Sequence, residues 1–145
     1  MRFALILLVA ALSCGVASSS SQSPIASAGT KPVVTMAELM VKVIYPYSDA
    51  IFYVEREAPK NEAEWMTLET KTLTLAEMGN LLMSPGRAYN QDQWMKDAQL
   101  LVNVGNAAYK AAKARNLQSL IDLNADLYES CQSCHEHYRP GYRRR

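Results

Sequence analysis

Two cysteines and a histidine near the end of the chain are spaced so that they could serve one ligand. Cys131, Cys134 and His135 form the pattern C-x-x-C-H, which is the attachment pattern of a c-type haem. On a helix, residues three and four apart lie on one face, so the three side chains can point to the same side of a flat macrocycle. Each thiol would then form a thioether bond with one vinyl group, and His135 would bind the iron.

The same residues fit two other kinds of site. C-x-x-C is also a dithiol redox motif, but that motif belongs beside a strand of a βαβ unit, and we find no strand pattern in this sequence. Together with His137, the three residues could also supply four zinc ligands, although a structural zinc site usually draws ligand pairs from two separated segments. A zinc or dithiol site is therefore the alternative outside haem chemistry.

The composition is that of one globular domain. The chain has 145 residues, of which 49% are apolar and 20% are charged, and its formal net charge is +1. A nucleic-acid-binding protein would normally show a basic stripe, so we expect no nucleic-acid partner. No Ser/His/Asp set, phosphate loop or paired acid–base site is recognisable, and we predict that the protein is not an enzyme.

Residues 1–32 resemble an export signal followed by a linker. Arg2 precedes an apolar run from Phe3 to Leu12, which is too short for a transmembrane helix and suits a signal peptide. The Ser-rich residues 18–23 that follow are typical of a linker. We therefore predict an exported, periplasmic bacterial protein whose haem domain spans residues 33–145. That compartment agrees with the motif, because c-type haem is attached outside the cytoplasm.

Cys14 leaves open whether this domain is anchored to a membrane. Residues 11–14, Ala-Leu-Ser-Cys, resemble a bacterial lipobox, in which the cysteine is lipidated and becomes the new N-terminus. The Ser-rich stretch would then tether the domain to the membrane. Cleavage after a later small residue, such as Ala17 or Ala28, would instead discard Cys14 with the signal peptide.

The rest of the chain is predicted to form four helices. Apolar residues recur at three-and-four spacing over about residues 35–58, 61–83, 91–115 and 116–138, with short breaks between them. Such helices are expected to pack as an all-α, antiparallel up-down four-helix bundle, with the haem motif in the last helix.

The first of these helices has a clear start and an internal break. Thr35 is a plausible N-cap with Glu38 as its capping-box partner. Pro46 removes a backbone donor and predicts a bend near residues 44–45. The predicted inward face consists of Met36, Met40, Val43, Tyr47, Ala50 and Val54.

The third helix has many small residues on its apolar face. Gly105 would cost about 1 kcal/mol relative to alanine in a helix interior. Either a bulky group lies against this face, or another helix packs closely on it. The predicted face consists of Trp94, Ala98, Leu101, Gly105, Ala108 and Ala112.

Four helices with C-x-x-C-H in the last one resemble the class II cytochromes c, the cytochrome c′ family. The likeness covers about residues 33–142 and is sharpest in residues 131–139, Cys-Gln-Ser-Cys-His-Glu-His-Tyr-Arg, which are similar to the family's C-x-x-C-H-x-x-[Phe/Tyr]-Arg ending. The resemblance implies one covalent haem c on Cys131 and Cys134, with His135 as the proximal ligand and Arg139 near the proximal haem face. It also implies a homodimer formed through the first two helices.

The resemblance leaves the sixth iron ligand open. Some members of the family have an open, high-spin site that takes nitric oxide or carbon monoxide, and others use a methionine of the first helix. The segment Glu38-Leu39-Met40 resembles the latter position, so Met40 is favoured and Met36 is second, although both could simply fill the core. His137 is expected to be exposed, because it projects to another side of the helix from His135.

With a methionine ligand, the expected function is periplasmic electron transfer to an unidentified redox protein. The alternative is a five-coordinate protein that binds nitric oxide or carbon monoxide.

Overall fold

Residues 31–139 and 141 are described in the computed structural model of the chain. The predicted signal peptide and Cys14 lie outside these residues. The described part contains no strand, and none of its helices is both long and apolar enough to cross a membrane. Its elements are α1 (Met36–Leu39), a π-helical turn (Met40–Ile44), α2 (Tyr45–Phe52), α3 (Glu62–Leu82), α4 (Gln93–Lys113), α5 (Leu117–Asp122) and α6 (Asn124–Tyr138).

These elements form four helical segments, so the all-α prediction is confirmed for the described residues. The first segment is α1, the π turn and α2 in succession, and the fourth is α5 followed by α6. One predicted bound is wrong, because the first segment ends at Phe52 rather than near residue 58. The fourth segment, predicted as one continuous helix, is broken at Leu123. Next to this break, the side-chain amide of Asn124 donates to the carbonyls of Ile51 and Phe52 at the end of α2.

The predicted helix starts are confirmed. Thr35 Oγ1 accepts from the Glu38 amide at 3.2 Å, and the Glu38 carboxylate accepts from the Thr35 amide at 3.1 Å, which is a complete capping box. Asn61 Oδ1 accepts from the Glu64 amide at 3.0 Å and caps α3 in the same way. Local sequence therefore determines where both helices begin.

A π-helical turn changes which residues of the first segment face the core. The Tyr45 amide donates to the Met40 carbonyl, five residues back, and the next residue, Pro46, has no amide hydrogen with which to continue an α-helical ladder. The extra residue shifts the inward face. The fully buried positions are Leu39, Ile44, Ser48, Ile51 and Val54.

The predicted inward face of this segment is confirmed in part: Val54 is fully buried. Its other members, Met36, Met40, Val43, Tyr47 and Ala50, are half-buried at the edge of the core. The predicted bend near residues 44–45 corresponds to the junction between the π turn and α2.

The small residues of α4 serve close packing against α3. A Cβ atom on Gly105 would lie 2.8 Å from the Ala76 Cα, and one on Gly79 would lie 2.9 Å from the Val102 amide nitrogen. Of the two explanations for Gly105, close helix–helix packing is correct. Near one end of the same contact, Trp94 Nε1 donates to the Leu82 carbonyl at 2.7 Å.

Near the other end of this contact, Arg115 forms ion pairs with Glu62 and Glu69 of α3. The guanidinium of Arg115 holds the pKa of Glu62 below its ordinary value. These contacts join the start of α3 to the end of α4.

Substitution of Gly105 tests whether close packing or helix propensity has the larger effect on the free energy of unfolding. Propensity alone predicts that Gly105→Ala stabilises the protein by about 1 kcal/mol. Because the new methyl group would overlap the backbone of Ala76, we expect a loss of about 1–3 kcal/mol instead. Urea unfolding measures the difference, and Asn106→Ala, on the exposed side of α4, is the matched control. A more stable Gly105→Ala protein would contradict the close contact.

Candidate functional site

A cavity of about 640 Å³ lies between the first helical segment, α4 and α6. Its size is within the range of ligand pockets, which are commonly apolar with a few polar groups at fixed positions. Most of its lining here is apolar or aromatic. Every candidate haem residue predicted in the described part of the chain lines this cavity: Cys131, Cys134, His135, Arg139, Met40 and Met36.

One wall of the cavity is the C-x-x-C-H face of α6. Cys131, Cys134 and His135 are all half-buried, and all three line the cavity. Their common face follows from the helical spacing. Arg139 lies just past the last residue of α6 and is exposed at the same cavity. The structure therefore presents two thiols, an imidazole and a guanidinium to one cavity.

Burial makes both cysteines poor thiolates. It raises the pKa of the Cys131 thiol, and it raises the pKa of Cys134 to about 11, with the negative charge of Asp97 adding to the effect. Both are free thiols and stay protonated at neutral pH. A dithiol redox site needs a low thiol pKa, because the thiolate is the nucleophile. This environment disfavours the dithiol alternative.

The environment of His135 favours a neutral imidazole. Burial lowers its pKa, and the positive charge of Arg139 lowers it further. At a pH below its pKa, an imidazole carries a proton on both nitrogens and cannot bind a metal. The neutral ring has one unprotonated nitrogen, which is the atom that binds a metal. At neutral pH His135 is therefore in the form that an iron ligand requires.

A second wall of the cavity carries the two methionines. Met36 belongs to α1, and Met40 is the first residue of the π turn. Both side chains are half-buried and line the cavity. A thioether sulfur is a soft, neutral ligand of the kind that binds haem iron in cytochromes.

An aromatic cluster joins the end of α6 to the start of α4. Tyr138 packs edge-on against Trp94 at a centroid distance of 4.8 Å, and Tyr89 packs beside both rings. The Tyr138 hydroxyl accepts from the Asn90 amide at 2.8 Å. Tyr138 is the aromatic residue of the Tyr-Arg ending, and it lines the cavity with Trp94 and Tyr89.

Asp97 was not predicted from the sequence as a residue of the site. This residue lies on the apolar face of α4, three residues after Trp94, and is only 1% exposed. Its carboxylate contacts Ser133 and His137 of α6 as well as Gln93 of its own helix. An acid within a predicted apolar stripe was the available signal, because a buried carboxylate requires partners.

His137 is exposed, as predicted, but it is not a free surface residue. Its side chain is 45% exposed, and Nδ1 lies 2.8 Å from Asp97 Oδ2. Within the described ranges, no three His, Cys, Asp or Glu side chains are close enough together to hold a metal ion. The zinc alternative thus has no ligand set in that part of the chain.

Comparison with known proteins adds no relative: no protein family, no curated protein and no solved structure matches this chain.

Proposed function

We propose that the protein is a c-type cytochrome that transfers electrons outside the cytoplasm. One observation carries the proposal: the thiols of Cys131 and Cys134, the imidazole of His135 and the thioethers of Met36 and Met40 line a single, mostly apolar cavity. This combination of side chains is the one that c-type cytochromes with Met/His ligation use. Neither the zinc site nor the dithiol site would use all five of these side chains.

The residues present fit a haem group by their chemistry. Cys131 and Cys134 line the cavity on one face of α6, where each S–H could add across one vinyl group, and a neutral His135 suits the iron. The apolar lining suits the macrocycle. Arg139, exposed at the same cavity, supplies a positive charge for a propionate carboxylate.

When bound, the haem supplies one-electron redox chemistry. The contribution of the protein is to hold and surround it. Cys131 and Cys134 would hold the group covalently, and Ile44, Leu82 and Leu101 would keep water from much of the cavity wall. A methionine bound to the iron would raise the reduction potential and limit ligand exchange. These features favour electron transfer over gas binding.

The bundle that would surround the haem is proposed to be antiparallel and up-down. Contacts between α3 and α4 support this topology, because residues later in α3 contact residues earlier in α4. Glu62 contacts Arg115, Ala76 lies against Gly105, and Leu82 bonds Trp94. Short connections between the helical segments agree with it.

Export follows from the same proposal. The segment from Arg2 to Leu12 would direct the chain to the periplasm, and Cys14 would either carry a lipid anchor or be removed. Mass spectrometry of the mature N-terminus distinguishes these two outcomes. A redox protein is the proposed partner, and a homodimer remains an expectation that sedimentation of the purified protein tests.

Covalent attachment is the first test. The wild-type protein, produced in a host that matures c-type cytochromes, is expected to keep its haem after denaturation. Cys131→Ala and Cys134→Ala should each retain one thioether bond at reduced yield, and the double variant should lose all covalent haem. Intact-mass spectrometry measures attachment, and Thr70→Ala, on the exposed side of α3, is the control. Wild-type protein without covalent haem would refute the proposal.

The sixth ligand is tested by the visible spectrum of the ferrous protein. We expect sharp low-spin bands that carbon monoxide does not shift. Met40→Ala should open the site, so that carbon monoxide shifts the spectrum, while Met36→Ala should not. Met66→Ala, a methionine of α3 that is 59% exposed and outside the cavity, is the matched control.

Two outcomes would change this assignment. If carbon monoxide shifted the spectrum of Met36→Ala but not that of Met40→Ala, the sixth ligand would be assigned to Met36. A wild-type spectrum that is already high-spin and shifts with carbon monoxide would replace electron transfer by the gas-binding alternative.

A further inference from the structure

The carboxylate of Asp97 is buried where α4 meets α6. Its Oδ1 accepts from Ser133 Oγ at 2.8 Å and from Gln93 Nε2 at 3.0 Å, and its Oδ2 lies 2.8 Å from His137 Nδ1. A carboxylate oxygen accepts hydrogen bonds, and the tautomer of His137 with its proton on Nδ1 donates to Oδ2. Both oxygens are therefore occupied, and two of the three partners belong to the helix that carries the C-x-x-C-H pattern.

This arrangement is costly to disrupt. A carboxylate with 1% exposure has lost its hydration, and it is tolerated only when hydrogen-bond donors replace the water. Among the described residues, no buried side-chain nitrogen or oxygen lacks a partner. Rotation of α6 away from this position would leave the charge with Gln93 alone, which makes the contact a strong constraint on that helix.

The two contact points on α6 are placed to fix its rotation about its own axis. Ser133 and His137 are four residues apart and therefore share one face of the helix. In sequence they bracket Cys134 and His135. Binding at two points one helical turn apart sets which way that turn faces, and so sets where the thiol and the imidazole beside it point.

The contacts do not use the groups that would bind haem. Cys131, Cys134 and His135 line the cavity, whereas Asp97 accepts from Ser133 and contacts His137. The constraint thus comes from the polypeptide alone. It can orient the attachment face without any contribution from the ligand.

We propose that Asp97 is a positioning residue for haem attachment, which turns the C-x-x-C-H face of α6 into the cavity by binding Ser133 and His137. This inference rests on the proposed function of the site. It assigns a role to two residues, one between the cysteines and one after the axial histidine, that the attachment pattern itself leaves unspecified.

The test compares Asp97→Ala and Asp97→Asn with wild type in a host that matures c-type cytochromes. The readouts are the fractions of chain with two, one and no thioether bonds, from peptide mass spectrometry, and the reduction potential of the haem-bearing fraction. We expect Asp97→Ala to lower the doubly attached fraction severalfold and to shift the potential. Asp97→Asn should retain part of the attachment, because its amide oxygen can still accept from Ser133.

Two kinds of control keep the test decisive. Thr72→Val removes a fully buried hydroxyl that bonds only within α3, and it should leave attachment and potential unchanged. Ser133→Ala and His137→Gln each weaken one contact and leave Asp97 in place. They should lower double attachment even if the Asp97 variants fail to accumulate.

The outcomes separate the two proposals. If wild type carries covalent haem and the Asp97, Ser133 and His137 variants match it in both readouts, the positioning role is overturned and the proposed function stands. If wild type carries no covalent haem, both are overturned.

Discussion

Two thiols and an imidazole can serve one ligand only if a single face of α6 is turned to the cavity. The spacing of Cys131, Cys134 and His135 places the three side chains on one face of the helix. Tertiary contacts must then turn that face to the cavity, because a helix can be rotated about its axis without changing its own hydrogen bonds. Asp97 and the packing of Tyr138 on Trp94 both restrict that rotation from the side of α4.

The position of α4 is in turn determined by its contact with α3. Gly79 and Gly105 allow the two backbones to approach closely, while Trp94 and Arg115 hold the contact near its ends. Such close packing leaves little freedom for one helix to slide past the other. The pair therefore holds the carboxylate of Asp97 and the ring of Trp94 where they contact α6.

Much of this arrangement could be predicted from local sequence, and the exceptions have physical reasons. The cap at Thr35 depends on a neighbour three residues away, so it could be predicted. The apolar stripe of α4 follows one α-helical period and could also be predicted. The π turn could not, because one inserted residue shifts the inward face of the first segment and departs from the α-helical period.

The candidate site also has some residues that local sequence predicts and others that it does not. The C-x-x-C-H pattern predicted that Cys131, Cys134 and His135 share one face, since their spacing is local, and all three line one cavity. The role of Asp97 depends on residues 36 and 40 positions further along the chain, and a separation of that length gives no periodic signal. A charged residue in an apolar stripe indicates that a partner exists, but only the tertiary structure identifies it.

The most direct test of the account is to crystallise the mature protein and measure anomalous diffraction at the iron absorption edge. The account predicts one iron atom per chain, inside the cavity between α6 and the first helical segment, at ligand distance from His135, with thioether density joining Cys131 and Cys134 to the macrocycle. A crystal of the protein as matured by its host with no iron in this cavity, or with both thiols unmodified, would contradict it.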